Sequence, residues 1–243
     1  MIVKTLAADE THLHVLRLAQ FDSLTEEELA HCYGVLLSPE ERVRQKRPSP
    51  ESKRREILLT RALVRTALSR YADVDPRDWR FGVSPAGRPF IDGMKMPFDF
   101  NLAHTSGVIV CLVSGAEAVG VDVEAMTRRT DLEEVASHFF SPSESGALRA
   151  LPPEERRERF YTYWTLKEAY IKARGLGLAL PLDGFWFALD GAAPAISFDS
   201  RIPDDPAAWR FECRPLSEEH LCAVALKTPS PLYLRVIEDP LQG

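Results

Sequence analysis

The chain has 243 residues, 45% hydrophobic and 27% charged, a balance that supports a sizeable core and excludes wholesale disorder. Its net charge of −6 argues against a nucleic-acid binder, which would usually be basic. No apolar run reaches the roughly 18 residues a membrane helix needs, and no basic region followed by a long apolar stretch opens the chain. The four cysteines (Cys32, Cys111, Cys213, Cys222) show no CxxC spacing, so neither a disulfide framework nor a zinc site is expected. A reducing cytoplasm is the expected home, with Cys111 and Cys222 as small buried hydrophobes.

The first structural signals are helical. Ser23, with Glu26 three residues on, reads as an N-cap before Leu29, and Ser38-Pro39-Glu40-Glu41 repeats the pattern with proline at the first helical position. Pro48 and Pro50 end that helix. Ile57, Leu58, Leu63, Val64, Ala67 and Leu68 recur at three-to-four spacing and predict a second one. A strand-rich stretch follows over residues 79–83, a turn at 84–87, and extended runs at 88–91, 98–102, 108–113 and 119–124. Helices return over 132–140 and 154–174, the latter ended by Gly175. Residues 185–187, 209–213 and 221–226 read as strands, and 203–206 as an exposed loop. Helix-then-strands thus occurs twice, predicting an α+β fold of two similar halves, residues 1–115 and 116–243.

Charge is unevenly spread. Residues 38–70 hold ten Lys or Arg (Arg42, Arg44, Lys46, Arg47, Lys53, Arg54, Arg55, Arg61, Arg65, Arg70) against four acids, which makes the segment +6 and leaves −12 elsewhere. Such a run is most often a solvated helix face. The sharper reading is an anion site, since guanidinium and ammonium groups match phosphate in charge and geometry.

Three further clusters stand out. In 120–124, Asp122 and Glu124 fall two apart in an apolar strand and therefore project to the same side. Paired carboxylates repel unless a cation lies between them, and hard oxygen ligands suit Mg²⁺; a solvent-facing acidic edge is the plainer alternative. In the helix, Tyr163, Leu166, Tyr170 and Ala173 form a core seam, while Trp164, Glu168 and Lys172 form an adjacent stripe. An ordinary i,i+4 ion pair explains Glu168 and Lys172 but not Trp164 beside them. A third carboxylate and two ammonium groups, Lys167 and Lys172, near the acidic strand would complete a site for metal-bound pyrophosphate. His104, at a strand end before Thr105 and Ser106, is either structural or a donor to phosphate. No GxSxG, GxGxxG, Walker loop or Ser–His–Asp order is present.

Gly-Arg-Pro at 87–89, Asn-Leu-Ala-His-Thr at 101–105, Gly-Val-Asp-Val-Glu at 120–124, Phe-Phe-Ser at 139–141 and Trp-Thr-Leu-Lys-Glu-Ala-Tyr-Ile-Lys at 164–172, then Gly-Leu-Gly-Leu, stand in this order. In this combination the chain resembles the phosphopantetheinyl transferases of the long, surfactin-synthetase-activating (Sfp) type, over residues 38–190 at least. The resemblance implies a pseudo-dimer, two similar α+β halves in one chain, with the active site in the cleft between them. It also implies Mg²⁺-dependent transfer of the 4′-phosphopantetheine arm of coenzyme A to a serine of acyl or peptidyl carrier proteins, releasing adenosine 3′,5′-bisphosphate. Asp122, Glu124 and Glu168 would hold Mg²⁺, with Glu168 also the candidate base and Lys172 assisting the leaving group. Arg88, His104, Lys167 and Lys172 would bind coenzyme A phosphates, and Arg44 and Arg55 would face its 3′-phosphate from the N-terminal half. Glu144 matches another acidic position of the family. The carrier would dock on the C-terminal half through apolar contacts near residues 175–187. Two departures are Ala103, where serine is common, and Glu41, where a basic residue can occur. A chain with both halves completes its own site, so a monomer is expected, with no nucleic-acid or membrane partner. Two rival readings are a non-catalytic binder of coenzyme A or carriers, which the intact carboxylates disfavour, and a Mg²⁺-dependent nucleotide pyrophosphohydrolase, which would need a further acidic cluster.

Overall fold

The computed structural model describes residues 6, 10–45, 49–127, 131–238 and 241, with backbone alone for residues 44 and 178. In chain order the elements are β1 (Glu10–Arg17), α1 (Glu26–Tyr33), α2 (Pro39–Gln45), α3 (Glu51–Leu68), β2 (Phe81–Val83), β3 (Pro89–Ile91), β4 (Asp99–Thr105), β5 (Val108–Ser114) and β6 (Ala118–Ala125). They continue with α4 (Leu132–Phe139), α5 (Pro142–Ala150), α6 (Pro153–Arg174), β7 (Phe185–Ala188), β8 (Ala195–Phe198), β9 (Trp209–Pro215), β10 (His220–Lys227) and β11 (Tyr233–Glu238). The fold is mixed α+β, as expected.

Local chemistry explains most boundaries. Ser38 and Glu41 exchange backbone and side-chain bonds at the start of α2, closing a capping box. The corresponding box of α1 is built by Thr25 and Glu28, two residues later than Ser23 and Glu26. Both S/T-x-x-E pairs are present in the sequence, and the helix starts at the second. α6 ends where Gly175 takes φ 62°, a left-handed cap whose N–H reaches back to the carbonyls of Ile171 and Lys172. β5 is buried at every position, which is why it reads as a continuous apolar run.

Two sheets carry the molecule, with strand orders β11-β1-β5-β4 and β6-β10-β9. Within them, β1, β5 and β4 are joined antiparallel, and so are β6, β10 and β9. Each set is formed by strand, long helix, strand, strand along the chain, with α3 in the first and α6 in the second. β4 and β6 meet through side chains: Asn101 Oδ1 accepts the Val121 N–H at 2.9 Å and Thr105 Oγ1 that of Ala125 at 3.2 Å. A shared core of Leu13, Val110, Leu112, Val121, Val123 and Val224 lies between the sheets.

Several elements were not foreseen in the sequence. β1, β8, α5 and β11 correspond to no expected element, and β1 lies before the first helical signal at Ser23. In β1, Leu13 and Val15 alternate with His12 and His14, but both faces are buried, the histidines being bonded to Tyr71. β11 pairs parallel with β1, so the C-terminal tail crosses back to the sheet of the first half. α5 does carry a readable signal, the Ser141–Glu144 capping box with proline at its first turn. Cys111 and Cys222 are buried, as their apolar surroundings required. Among the described residues no helix is long and apolar enough to cross a membrane.

A buried histidine pair predicts an acid-sensitive fold. His12 Nδ1 and His14 Nε2 both bond the Tyr71 hydroxyl, at 2.7 and 2.6 Å. Burial first, then the charge of Arg70 and the neighbouring His12, lowers the His14 pKa from 6.5 to about 3. Above pH 6.5 His14 is neutral folded or unfolded. Below it the unfolded chain gains a proton that the folded one refuses, so stability falls from pH 6.5 down towards 3. Denaturation curves at pH 7 and pH 5 should differ, and the drop should shrink in His14→Gln by on the order of 1–2 kcal/mol. An identical drop in both proteins would assign the acid sensitivity to other groups.

Candidate active site

The site grows from one face of β6. Gly120, Asp122 and Glu124 alternate with Val119, Val121 and Val123, which enter the core between the sheets. Gly120 lets α6 lie directly on this face: a Cβ there would stand 2.1 Å from the Ala169 carbonyl oxygen and 2.5 Å from the Ala173 nitrogen. This close approach points the helical stripe Trp164, Glu168 and Lys172 at the strand carboxylates.

The contacts are specific. Lys172 Nζ bonds Asp122 Oδ1 at 2.6 Å, and the Trp164 indole N–H bonds Glu124 Oε1 at 3.1 Å. Lys172 therefore pairs across to the strand, not with Glu168 one turn away. Burial lowers the Lys172 pKa, but Asp122, Glu168 and Glu124 together outweigh it and hold the ammonium above its usual range. Glu168 is pushed up by burial and by the charges of Asp122 and Glu124, against the pull of Lys172. The buried Asp122 Oδ2 has no hydrogen-bond partner.

The N-terminal unit supplies the facing wall. The turn after β2 places Arg88, whose guanidinium bonds Asp99 Oδ2 at 2.7 Å and the carbonyls of Val119 and Phe100 at 3.0 and 3.3 Å. Arg88, Asn101 and Leu102 line a cavity of about 250 Å³ together with Glu168, Ile171 and Lys172. His104, exposed on β4, lies 3.5 Å from Glu56 of α3. Burial lowers its pKa against the opposing charge of Glu56, and Lys53 and Lys172 lower it further. Arg88, His104, Asp122, Glu124, Glu168 and Lys172 thus share one neighbourhood between the two sheets.

Other expected site residues lie elsewhere. Lys167 is fully buried. Its ammonium pairs with Glu144 at 2.8 Å, donates to the carbonyls of Leu182 and Phe185 at 2.9 and 2.6 Å, and sits 4.3 Å from the Phe185 ring centre. One residue from Glu168, a helix has turned by about 100°, so Lys167 faces the core instead of the cleft. Glu144 is its counter-ion and also caps α5 and accepts the Phe187 N–H. Arg55 donates to the carbonyls of Leu24 and Phe21, both at 2.8 Å. Arg44 (its side chain), Lys46 and Arg47 fall outside the described residues.

The basic segment is largely internally paired. Arg54 bonds Glu26, Arg65 and Arg61 share Glu41, and Lys53 pairs with Glu56. Glu41, noted above as a departure, is thereby a structural counter-ion and a helix cap. Of the apolar residues in 175–187, Leu180, Leu182, Phe185 and Phe187 are buried and unavailable for docking, while Leu176 is exposed. What the sequence did not reveal is the bond from Trp164 to Glu124, the Glu56–His104 contact and the Arg88 strut. The only signal for the first was an indole that packing alone did not explain.

The family model of the 4′-phosphopantetheinyl transferase superfamily matches residues 118–225, from β6 to β10. A 4′-phosphopantetheinyl transferase of a Nostoc species, HetI, is 34% identical over 210 residues, covering 83% of this chain and 86% of its own. The 4′-phosphopantetheinyl transferase Sfp of Bacillus subtilis is 34% identical over 169 residues, 69% of this chain and 74% of its own. A solved holo-[acyl-carrier-protein] synthase of Thermotoga maritima aligns with 47% of this chain and 65% of its own at TM-score 0.39 and 21% identity, a partial likeness that leaves membership to the sequence. The order of motifs, the carboxylates of β6 facing the Trp-Glu-Lys stripe of α6, and these relatives agree: the chain belongs to the 4′-phosphopantetheinyl transferases and is an enzyme of that family.

Proposed function

We propose that this enzyme transfers the 4′-phosphopantetheine arm of coenzyme A to a serine of acyl or peptidyl carrier proteins. The observation that carries this reading is the meeting of three carboxylates, Lys172 and Arg88 between two units of equal strand order. We read those units as a pseudo-dimer, residues 1–115 and 116–243, with β11 returned to the first and the cleft as the active site. Such a chain completes its site as a monomer.

The donor set fits a divalent cation. Hard carboxylate oxygens converge, one buried oxygen of Asp122 lacks a partner, and burial, with the neighbouring charges of Asp122 and Glu124, raises Glu168. Among the described residues no three such side chains already stand as a metal cage, and Lys172 covers one side of Asp122. Asp122, Glu124 and Glu168 would hold Mg²⁺, which when bound neutralises charge on the coenzyme pyrophosphate. Arg88, His104 and Lys172 bind its phosphates. The carrier serine oxygen bonds to the phosphorus that bears pantetheine. The bond from that phosphorus to the bridging oxygen breaks, and adenosine 3′,5′-bisphosphate leaves with the oxygen. Serine is a poor nucleophile unaided, and Glu168, with its raised pKa, accepts its proton. Lys172 stabilises the departing bisphosphate. Lys167, Glu144 and Arg55, committed to internal bonds, take no part in this scheme.

Mass spectrometry of purified apo-carriers from fatty-acid, polyketide and peptide synthesis, after incubation with coenzyme A and Mg²⁺, tests the proposal. One phosphopantetheine added to the carrier serine is expected. Bisphosphate release without a modified carrier would instead identify a hydrolase.

Lys172 separates two readings of its own. In the plainer one it is only the counter-ion of Asp122 and contributes nothing to coenzyme binding. A charge-assisted bond to phosphate is worth about 1.5–3 kcal/mol. Lys172→Ala should therefore stay folded and bind coenzyme A roughly tenfold to a hundredfold more weakly by calorimetry. Unchanged affinity would leave Lys172 as the counter-ion of Asp122 alone.

A further inference from the structure

We infer that Trp164 is a positioning residue that holds the Glu124 carboxylate in place for the divalent cation. The inference rests on the metal reading above and adds to it a residue that touches neither coenzyme nor metal. The indole has one donor, and it is spent on Glu124 Oε1 at 3.1 Å. The ring that carries this donor is itself fixed. Phe160, one turn back on α6, lies nearly parallel to it with centroids 6.2 Å apart and an interplanar angle of 8°. Phe139, the last residue of α4, meets it edge-on at 5.9 Å and 75°. Two helices therefore clamp the indole while its N–H addresses a strand.

The need for such a clamp follows from the glutamate. Asp122 has a short side chain, is buried, and is gripped by Lys172. Glu124 has one more rotatable bond, is only half-buried, and sits towards the end of β6. Left to itself its carboxylate would sample several rotamers, and ordering it would weaken metal binding. A hydrogen bond from outside the ligand set removes that freedom in advance, and loss of such a bond typically weakens a metal site 10–100-fold. The plainer account, Trp164 as mere aromatic filler between Phe139 and Phe160, would be met equally by phenylalanine or any ring of the same shape.

The test separates shape from the N–H. Full-length protein is prepared with Trp164→Phe and, by site-specific incorporation, with Trp164 replaced by β-(3-benzothienyl)alanine, an isostere with sulfur in place of the N–H. Mn²⁺ is titrated into each in the presence of coenzyme A, with free Mn²⁺ read from its electron paramagnetic resonance, and thermal melts are recorded. The expected result is Mn²⁺ affinity lowered 10–100-fold in both variants, with the melting temperature of the isostere unchanged. Wild-type affinity in the isostere would overturn the inference and leave Trp164 as packing, whatever the Phe variant does. Unchanged affinity in Glu124→Gln, or no Mn²⁺ bound by the unaltered protein, would overturn the metal reading itself.

Discussion

Asp122→Asn is expected to lose transfer activity by orders of magnitude while keeping its fold. The substitution preserves shape and removes one charge from the group formed with Glu124 and Glu168. Three consequences follow from the geometry. A hard cation loses an anionic ligand. Lys172 loses the carboxylate it grips at 2.6 Å and its ammonium is held less tightly. Glu168 loses a neighbouring negative charge that raises its pKa, so it becomes a weaker base. All three act against transfer. Some stability should be lost with the Lys172 ion pair, but the fold should hold, since asparagine keeps an oxygen for that ammonium and the buried Asp122 Oδ2 makes no hydrogen bond to break. The measurement is carrier modification under saturating coenzyme A and Mg²⁺, beside a thermal melt. Full turnover in a folded Asp122→Asn protein, or in excess chelator, would remove the metal from the proposed mechanism.

Lys167→Met is expected to give a large loss of stability, with coenzyme A affinity of the folded protein unchanged. Lys167 and Glu144 are 0% and 1% exposed, so neither can recover hydration if its partner is removed. Removing one member of a buried ion pair typically costs about 3–5 kcal/mol. Here the stranded carboxylate would retain its bonds to Ser141 and the Phe187 N–H, while the carbonyls of Leu182 and Phe185 would lose their donor. Lys167→Met with Glu144→Leu should recover part of the loss, because burying two apolar groups leaves no unpaired charge. Denaturant titration reads the stability, and calorimetry at low temperature reads the affinity. A Lys167→Met protein that is as stable as the original but binds coenzyme A poorly would return Lys167 to the phosphate site.

These two residues also show how far the site was legible. Asp122 and Glu124 share a face because a strand alternates, and Trp164, Glu168 and Lys172 share one because they recur every four residues in a helix. Both facts are local, and both were readable. The same periodicity also put Lys167 on the Tyr163–Tyr170 seam, four residues after one and three before the other. Its motif position suggested a phosphate ligand, but the core seam prevailed. What could not be read was Glu144, a counter-ion 23 residues away that makes a buried lysine tolerable. The described part of the basic segment shows the same limit. Its charges lie close together along the chain, whereas Glu26 from α1 and Glu41 from α2 neutralise Arg54, Arg61 and Arg65 in space.

By itself the sequence determined the capped start of α2, the turn at Gly87, the buried strand β5, the left-handed stop at Gly175, the α+β class and the family. Each is set by residues within a few positions of one another, or by motifs in fixed order. Only the tertiary structure decided that β11 returns to pair with β1, that α6 rests on Gly120, that Lys172 grips Asp122 instead of Glu168, and that Lys167 lies in the core. These pairings join residues 23 to 223 positions apart. They depend on which surfaces are desolvated together, a property of the packed molecule that no local spacing encodes.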